Sequence, residues 1–217
     1  MTGKDLIKMV LWPKGKTRFL FNLNETSSIF DIGCGNNSPF EVKRVLPKSN
    51  YTGIDIGDYN QTKPNLADTY IVTTPDRFTL DISKFINHFD AVISSHNIEH
   101  CDNRHGTFRA MLDTLKPGGD IYISFPCEKS VSFPKRHGTL NYFDDTTHKH
   151  DPPDFDEFRR ILSESNFEIE FSSRSYKPFL LWIIGFIIEP YSSLRKRVLP
   201  PTWGYYGFES IIWAKKC

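Results

Sequence analysis

Cysteine is scarce in this chain of 217 residues: only Cys34, Cys101, Cys127 and Cys217 occur, and no two form a CxxC pair. That spacing argues against a zinc site or a disulfide framework and suits a reducing, cytoplasmic compartment. Long apolar runs are lacking as well. The longest, Phe179 to Ile188, has ten residues, about half of what a bilayer-spanning helix needs. Met1 to Leu20 interrupts its apolar residues with lysines and a proline, so it has no uninterrupted core of a secretory signal. An excess of charge is also missing: 27 basic side chains face 26 acidic ones, and no global field would recruit nucleic acid. Specificity must therefore come from a local site. The length suits one substantial core, read as a single α/β domain over 1–217.

What is present is an alternation of apolar strand-like runs and amphipathic segments. Strands are expected at Ser28 to Ile32, Tyr51 to Ile56, Asp68 to Val72, Asp90 to Ser94, Asp120 to Phe125, Phe167 to Ser172 and Ser210 to Ala214. One helix is expected after Thr74, with Thr74 as N-cap, Pro75 in the first turn and Phe78, Ile82 and Phe85 along one face. A second spans about Thr107 to Leu115 and stops at Lys116-Pro117-Gly118-Gly119, and a third runs from Asp154 to Ser165. Strands and helices in turn give a doubly wound, Rossmann-like sheet.

Within that order, Ile29 to Phe40 (IFDIGCGNNSPF) carries the most chemistry. An apolar strand leads into Gly33 and Gly35, which let the backbone turn tightly and a ligand approach it. The negative charge of Asp31 would repel a pyrophosphate but suits a cofactor with an ammonium and a sulfonium. Asp55 follows about twenty residues after the turn, where a carboxylate can accept the ribose hydroxyls of an adenosine. A dinucleotide oxidoreductase would instead show a full GxGxxG and no acid at Asp31. The segment resembles motif I of the class I S-adenosylmethionine-dependent methyltransferases, of the small-molecule, type 11-like kind. Asn37 stands where many members carry a third glycine, and asparagine tolerates a left-handed backbone. The resemblance extends through Phe89 to Ser95 and Leu115 to Gly119, and covers roughly Ser28 to Phe171 plus the last strand. It implies a seven-stranded sheet whose last strand is antiparallel, and a cofactor site at Asp31, Gly33, Cys34, Gly35, Asp55, Ile56, Thr74, Ser95, His96 and Asn97.

Methyl transfer needs alignment of nucleophile, methyl and leaving sulfur, and at most the removal of one proton. His100, in Ile98-Glu99-His100, resembles the Glu-His pair that many such enzymes carry here and is the first candidate for a general base. His148 and His150 are further catalytic candidates. A structural histidine bonded to a backbone carbonyl is the alternative for His100. The long polar and aromatic connection from Cys127 to Pro153 suits acceptor binding through His137, Tyr142, Phe143 and Asp144. Asp144, Asp145, His148 and His150 could suit a divalent cation, but their spacing matches no specific ligand pattern, and no metal is assigned.

Between the last two strands, 176–207 is longer than a turn requires. It holds the apolar run, Arg195-Lys196-Arg197 and aromatics from Trp203 to Tyr206. It can be a helix buried against the sheet or a second subunit, a lid over the acceptor, or an element in the membrane interface. The expected function is methyl transfer to a small polar acceptor, with a sugar or glycan-precursor hydroxyl suggested by a loose likeness of Gly138 to Asp145 to methyltransferases associated with carbohydrates. The alternatives are a non-catalytic cofactor-binding or membrane-attached module, and a lipid-modifying methyltransferase. A cytoplasmic location, at most peripheral to the membrane, accompanies each.

Overall fold

A computed structural model describes residues 2–59, 63–148 and 150–217. Its centre is a seven-stranded sheet in the order β3-β2-β1-β4-β5-β7-β6. The strands are β1 (Ser28–Ile32), β2 (Asn50–Asp55), β3 (Thr69–Val72), β4 (Phe89–Ser95), β5 (Leu115–Pro126), β6 (Phe167–Ser173) and β7 (Glu209–Lys216). The first five run parallel, and β7 pairs antiparallel with β5 and β6. Strand order reverses between β1 and β4, so the carboxyl ends of these two strands open the crevice where doubly wound sheets bind ligands.

Alternating strand residues supply two cores. On one face Phe30, Ile32, Val92, Ile121 and Ile123 pack with α4 (Phe78–Ile82), α5 (Arg104–Asp113) and α6 (Phe155–Glu164). On the other, Ile29, Tyr51, Ile93, Tyr122 and Trp213 pack with α2 (Lys16–Asn22) and α3 (Ser38–Val45). α1 (Gly3–Leu11) precedes these elements. α6 starts where Asp154 accepts hydrogen bonds from the amides of Asp156 and Glu157 at 2.9 and 3.1 Å. Asp154 is thus the N-cap of the helix expected from Asp154 to Ser165.

Two local expectations are corrected. Thr74 does not cap a helix: Thr74 to Arg77 form a turn closed by the Arg77 amide on the Thr74 carbonyl at 3.0 Å, and α4 begins only at Phe78. Lys116-Pro117-Gly118-Gly119 does not lie outside a strand. It forms the first part of β5, with Gly118 left-handed and the register against β4 shifted between Phe89 and Ala91. The irregular pairing admits the proline and glycines that sequence rules read as a stop.

The 176–207 segment forms α7 (Phe179–Leu194) and α8 (Pro200–Tyr206), which pack on each other. A Cβ on Gly185 would meet Tyr205 Cβ at 2.5 Å and the Pro201 carbonyl at 2.6 Å, and one on Gly204 would meet Leu181 Cβ at 2.9 Å. The two glycines therefore permit the close approach of the helices. Of the sixteen residues of α7 only Leu181, Gly185 and Ser192 are buried, so the apolar helix is not buried against the sheet. Arg136 fastens it instead, in a two-pronged ion pair with Glu189 at 2.6 and 2.9 Å and a bond to Ser192 Oγ at 2.9 Å. Among the described residues no helix is long and apolar enough to cross a membrane.

Candidate functional site

Gly33, Gly35 and Asn37 are all left-handed, with φ of 71°, 53° and 69°. Asn37 thus adopts the backbone that a glycine would supply, and it leads directly into α3. The loop is pinned to β2 where the Gly33 amide donates to the Ile54 carbonyl at 2.9 Å. A Cβ on Gly33 would lie 2.2 Å from Asn97 Cγ, whereas one on Gly35 would meet no atom of the described residues within 4 Å. Gly33 is therefore closed by the β4 loop.

Asp55 organises the neighbouring turn, its Oδ2 accepting from the Gly35 amide at 2.7 Å and its Oδ1 from the Ile56 amide at 2.7 Å. Burial raises its pKa, and the two amides act against that rise. The Tyr59 hydroxyl also donates to this carboxylate, which keeps a further lone pair with which to accept a ribose hydroxyl. Asp31 stands near the end of β1. It is buried beneath the loop, and its Oδ2 accepts from Ser38 Oγ and from the Tyr51 hydroxyl at 2.8 Å. Burial raises its pKa, while nearby Lys16 opposes the rise. Asp31 holds the loop from below through Ser38 and Tyr51. Cys34 is buried beside both carboxylates, and burial first, then these charges, keep its thiol protonated. Ile56 and Thr74 are exposed at the ends of β2 and β3.

After β4 the chain turns through His96, whose φ is 52°. His96 Nε2 lies 2.7 Å from Glu209 Oε1 and Nδ1 lies 3.3 Å from Glu99 Oε1. Burial alone would lower the pKa of this ring, but the two carboxylates outweigh it and raise it to about 10. At neutral pH His96 is a cation between two acids. The pairing with Glu209, 113 residues away, has no signal in sequence spacing.

His100 is exposed, and burial of its ring lowers its pKa, with Glu99 opposing. A neutral imidazole can accept a proton or ligate a cation. Its Nδ1 lies 3.0 Å from Thr147 Oγ1, and its ring centroid lies 4.7 Å from that of His148. The structure brings His100 and His148 together but leaves His150 aside, exposed and 3.6 Å from Asp102. In the Cys127 to Pro153 connection, Tyr142 is completely buried with its ring stacked on His148. It is not the open platform for an acceptor that the sequence suggested, and supports the histidine instead. Asp144 serves the loop, with Oδ2 accepting from the amides of Arg136, Leu140 and Asn141. His137 bridges through its backbone to Lys196 and Val198 at 3.0 and 2.9 Å, while Phe143 is exposed.

The cavity beside this site has a volume of about 520 Å³, and sequence reasoning missed most of its wall. Trp12 and Lys16 come from the amino-terminal region, Tyr122 and Ser124 from β5, Trp203 from α8, and Glu209 from β7. Ser95 also lines it, and its buried Oγ has no hydrogen-bond partner among the described residues, whereas Ser124 bonds the Tyr122 hydroxyl. Such a volume lies in the range of small-molecule sites, and a hydroxyl left open on its wall favours a polar guest.

A family model described as a methyltransferase domain matches residues 8–170. The chain belongs to that family, and it has the seven-stranded, Rossmann-like architecture of the class I enzymes that use S-adenosylmethionine. Among solved structures, a methyltransferase dependent on this cofactor from Archaeoglobus fulgidus is similar, with 19% identity, 99% of this chain and 100% of the other covered, and a TM-score of 0.58. Another from Mesorhizobium loti has 18% identity, coverages of 92% and 95%, and a TM-score of 0.61. A geranyl diphosphate methyltransferase in complex with the cofactor has 15% identity, coverages of 92% and 84%, and a TM-score of 0.62. No curated protein matches the sequence.

The residues present fit this cofactor. The left-handed turn from Gly33 to Asn37 and the carboxylate at the end of β2, 2.7 Å from the Gly35 amide, suit the nucleoside of this cofactor.

Proposed function

We propose that this methyltransferase acts on a hydroxyl of a small polar acceptor of the sugar or glycan-precursor type, held in the cavity between β4, β5, β7 and α8. The observation that carries this reading is the cavity wall. It combines aromatic faces at Trp12, Tyr122 and Trp203 with Lys16, Glu209 and the hydroxyls of Ser95 and Ser124. Aromatic faces cover the C–H faces of a sugar while charged and hydroxyl groups bond its rim. When bound, S-adenosylmethionine supplies an activated methyl carbon. Asp55 and the Gly33 to Gly35 backbone hold the nucleoside end, and His96 fixes Glu209 on the cavity wall. His100 and His148, with ring centroids 4.7 Å apart beyond the end of β4, close the acceptor side of the site.

Titration calorimetry tests the cofactor half: S-adenosylmethionine and its demethylated product bind, and Asp55→Ala weakens both at least tenfold. Absence of binding by the wild type would remove the reading. Methyl release with a panel of nucleotide-free and nucleotide-linked sugars tests the acceptor half, and turnover restricted to apolar acceptors would overturn it.

A second reading rests on the surface of α1 and α7, which touch. Leu6, Ile7 and Val10 of α1 are exposed beside Phe179, Phe186 and Ile187 of α7, which are 60–72% exposed. Glu189, the sole acid of α7, is turned onto Arg136, and the helix ends in Arg195-Lys196-Arg197. An apolar face with a basic border and no free acid complements an anionic lipid surface. In this reading the acceptor is presented at a membrane. Co-sedimentation with phosphatidylglycerol vesicles, but not phosphatidylcholine vesicles, supports it. A homodimer that Phe186→Asp dissolves, without vesicle binding, would replace it.

A further inference from the structure

Glu99, His100 and His148 converge from two segments 48 residues apart, and one ligating atom of each lies within 4.8 Å of the other two. The hydrogen bonds around them settle which nitrogens are available. His148 Nδ1 lies 2.6 Å from the Tyr142 carbonyl, which can only accept, so Nδ1 carries the proton and Nε2 the lone pair. Thr147 Oγ1 donates to Asp145 Oδ1 at 2.6 Å and therefore accepts from His100 Nδ1, which leaves His100 Nε2 with its lone pair too. Each imidazole is thus oriented as metal-bound histidines are, with the distal N–H held by an oxygen. Glu99 is 1% exposed, and its Oε2 has no partner among the described residues although Oε1 faces His96. A buried carboxylate oxygen left without a donor is costly unless a cation completes it.

We propose that Glu99, His100 and His148 form a binding site for a first-row divalent transition ion, of the zinc, cobalt or manganese class. Two imidazoles and one carboxylate suit such ions better than magnesium, which prefers oxygen ligands. Asp145 Oδ2 lies 4.0 Å from His148 Nε2 and is in position to become a fourth ligand. This set differs from the one the sequence suggested, because Asp144 is occupied by loop amides and His150 by Asp102. The site follows Asn97, which packs against Gly33 of the cofactor loop, so an ion there would stand beside the methyl donor and hold an acceptor oxygen. That last role rests on the acceptor reading above; the binding site does not.

The test uses the full chain stripped with a chelator and titrated with Co²⁺, Zn²⁺, Mn²⁺ and Mg²⁺, following heat and, for Co²⁺, visible absorption. One transition ion per chain is expected, with weaker Mg²⁺ binding. His100→Ala, at an exposed position, and Glu99→Gln each lower affinity at least tenfold, while His105→Ala leaves it unchanged. Absence of stoichiometric binding, or unchanged affinity in both His100→Ala and Glu99→Gln, overturns the proposal. Cofactor calorimetry on the same samples separates the two ideas. Normal S-adenosylmethionine binding without an ion refutes the metal site alone, and ion binding without cofactor binding refutes the methyltransfer reading alone.

Discussion

The cofactor end and the acceptor end of this molecule are built in opposite ways. The cofactor end consists of backbone: three left-handed residues within five positions, two amides on Asp55 and two, of Gly33 and Cys34, on the Ile54 carbonyl. Its parts lie within about one β-α-β unit. The proposed acceptor end consists of side chains from distant segments, with Trp12, Tyr122, Trp203 and Glu209 around one cavity, and its outer helices leave much apolar surface in solvent. A site made of backbone tolerates little change and specifies one ligand class. A site made of side chains on added helices can be altered without disturbing the sheet.

The sharpest way to break the first half is Gly33→Ala. Its Cβ would collide with Asn97 at a positive φ, and cofactor binding by calorimetry should be lost altogether. Arg136→Ala should come next. It leaves Glu189 and Ser192 without their buried partner, and loss of such a partner costs about 3 kcal/mol. Thermal unfolding should report a fall of several degrees, with the acceptor cavity affected before the cofactor loop. If the melting temperature is unchanged, α7 is not fastened through this pair.

A pH titration sharpens the same contrast. Burial by itself would raise the Glu189 pKa, but Arg136 and Tyr206 outweigh it, and the folded value lies below 4.5. The pair's contribution is therefore fully present above about pH 4.5 and is lost as pH falls through the lowered value. Arg136→Ala should show a shallower loss of stability across that acid range than the wild type. The smallest effect on stability belongs to Ile187→Asp on the exposed face of α7, expected within about 0.5 kcal/mol in denaturant unfolding. A larger loss would mean that this face is covered in solution.

The sheet was largely legible in the chain because strand alternation and turn chemistry act over a few residues. β1 lies where its apolar run indicates, and β2, β4, β6 and β7 differ from expectation by one or two residues at their ends. β5 was read too short, since Pro117 and Gly118 are stop signals locally and are admitted only by a shifted register with β4. The Thr74 cap failed for a similar reason: a plausible N-cap and Pro75 give a turn before α4, not its first helical residues. At the site, Gly33, Gly35, Asn37 and Asp55 were readable because their geometry is set by glycine-like backbone and fixed spacing.

Sequence alone determined the class of the molecule: the alternating sheet, the glycine turn and the carboxylate at the end of β2 are local consequences of side-chain period and backbone freedom. Only the tertiary structure decided the partners. It placed His96 between Glu99 and Glu209, stacked Tyr142 on His148, set Trp12 and Trp203 on one cavity, and left α7 outside the core. These pairings join residues up to 191 positions apart in the chain (Trp12 and Trp203). No local period encodes such contacts, because they arise only when the sheet brings the ends of its strands together.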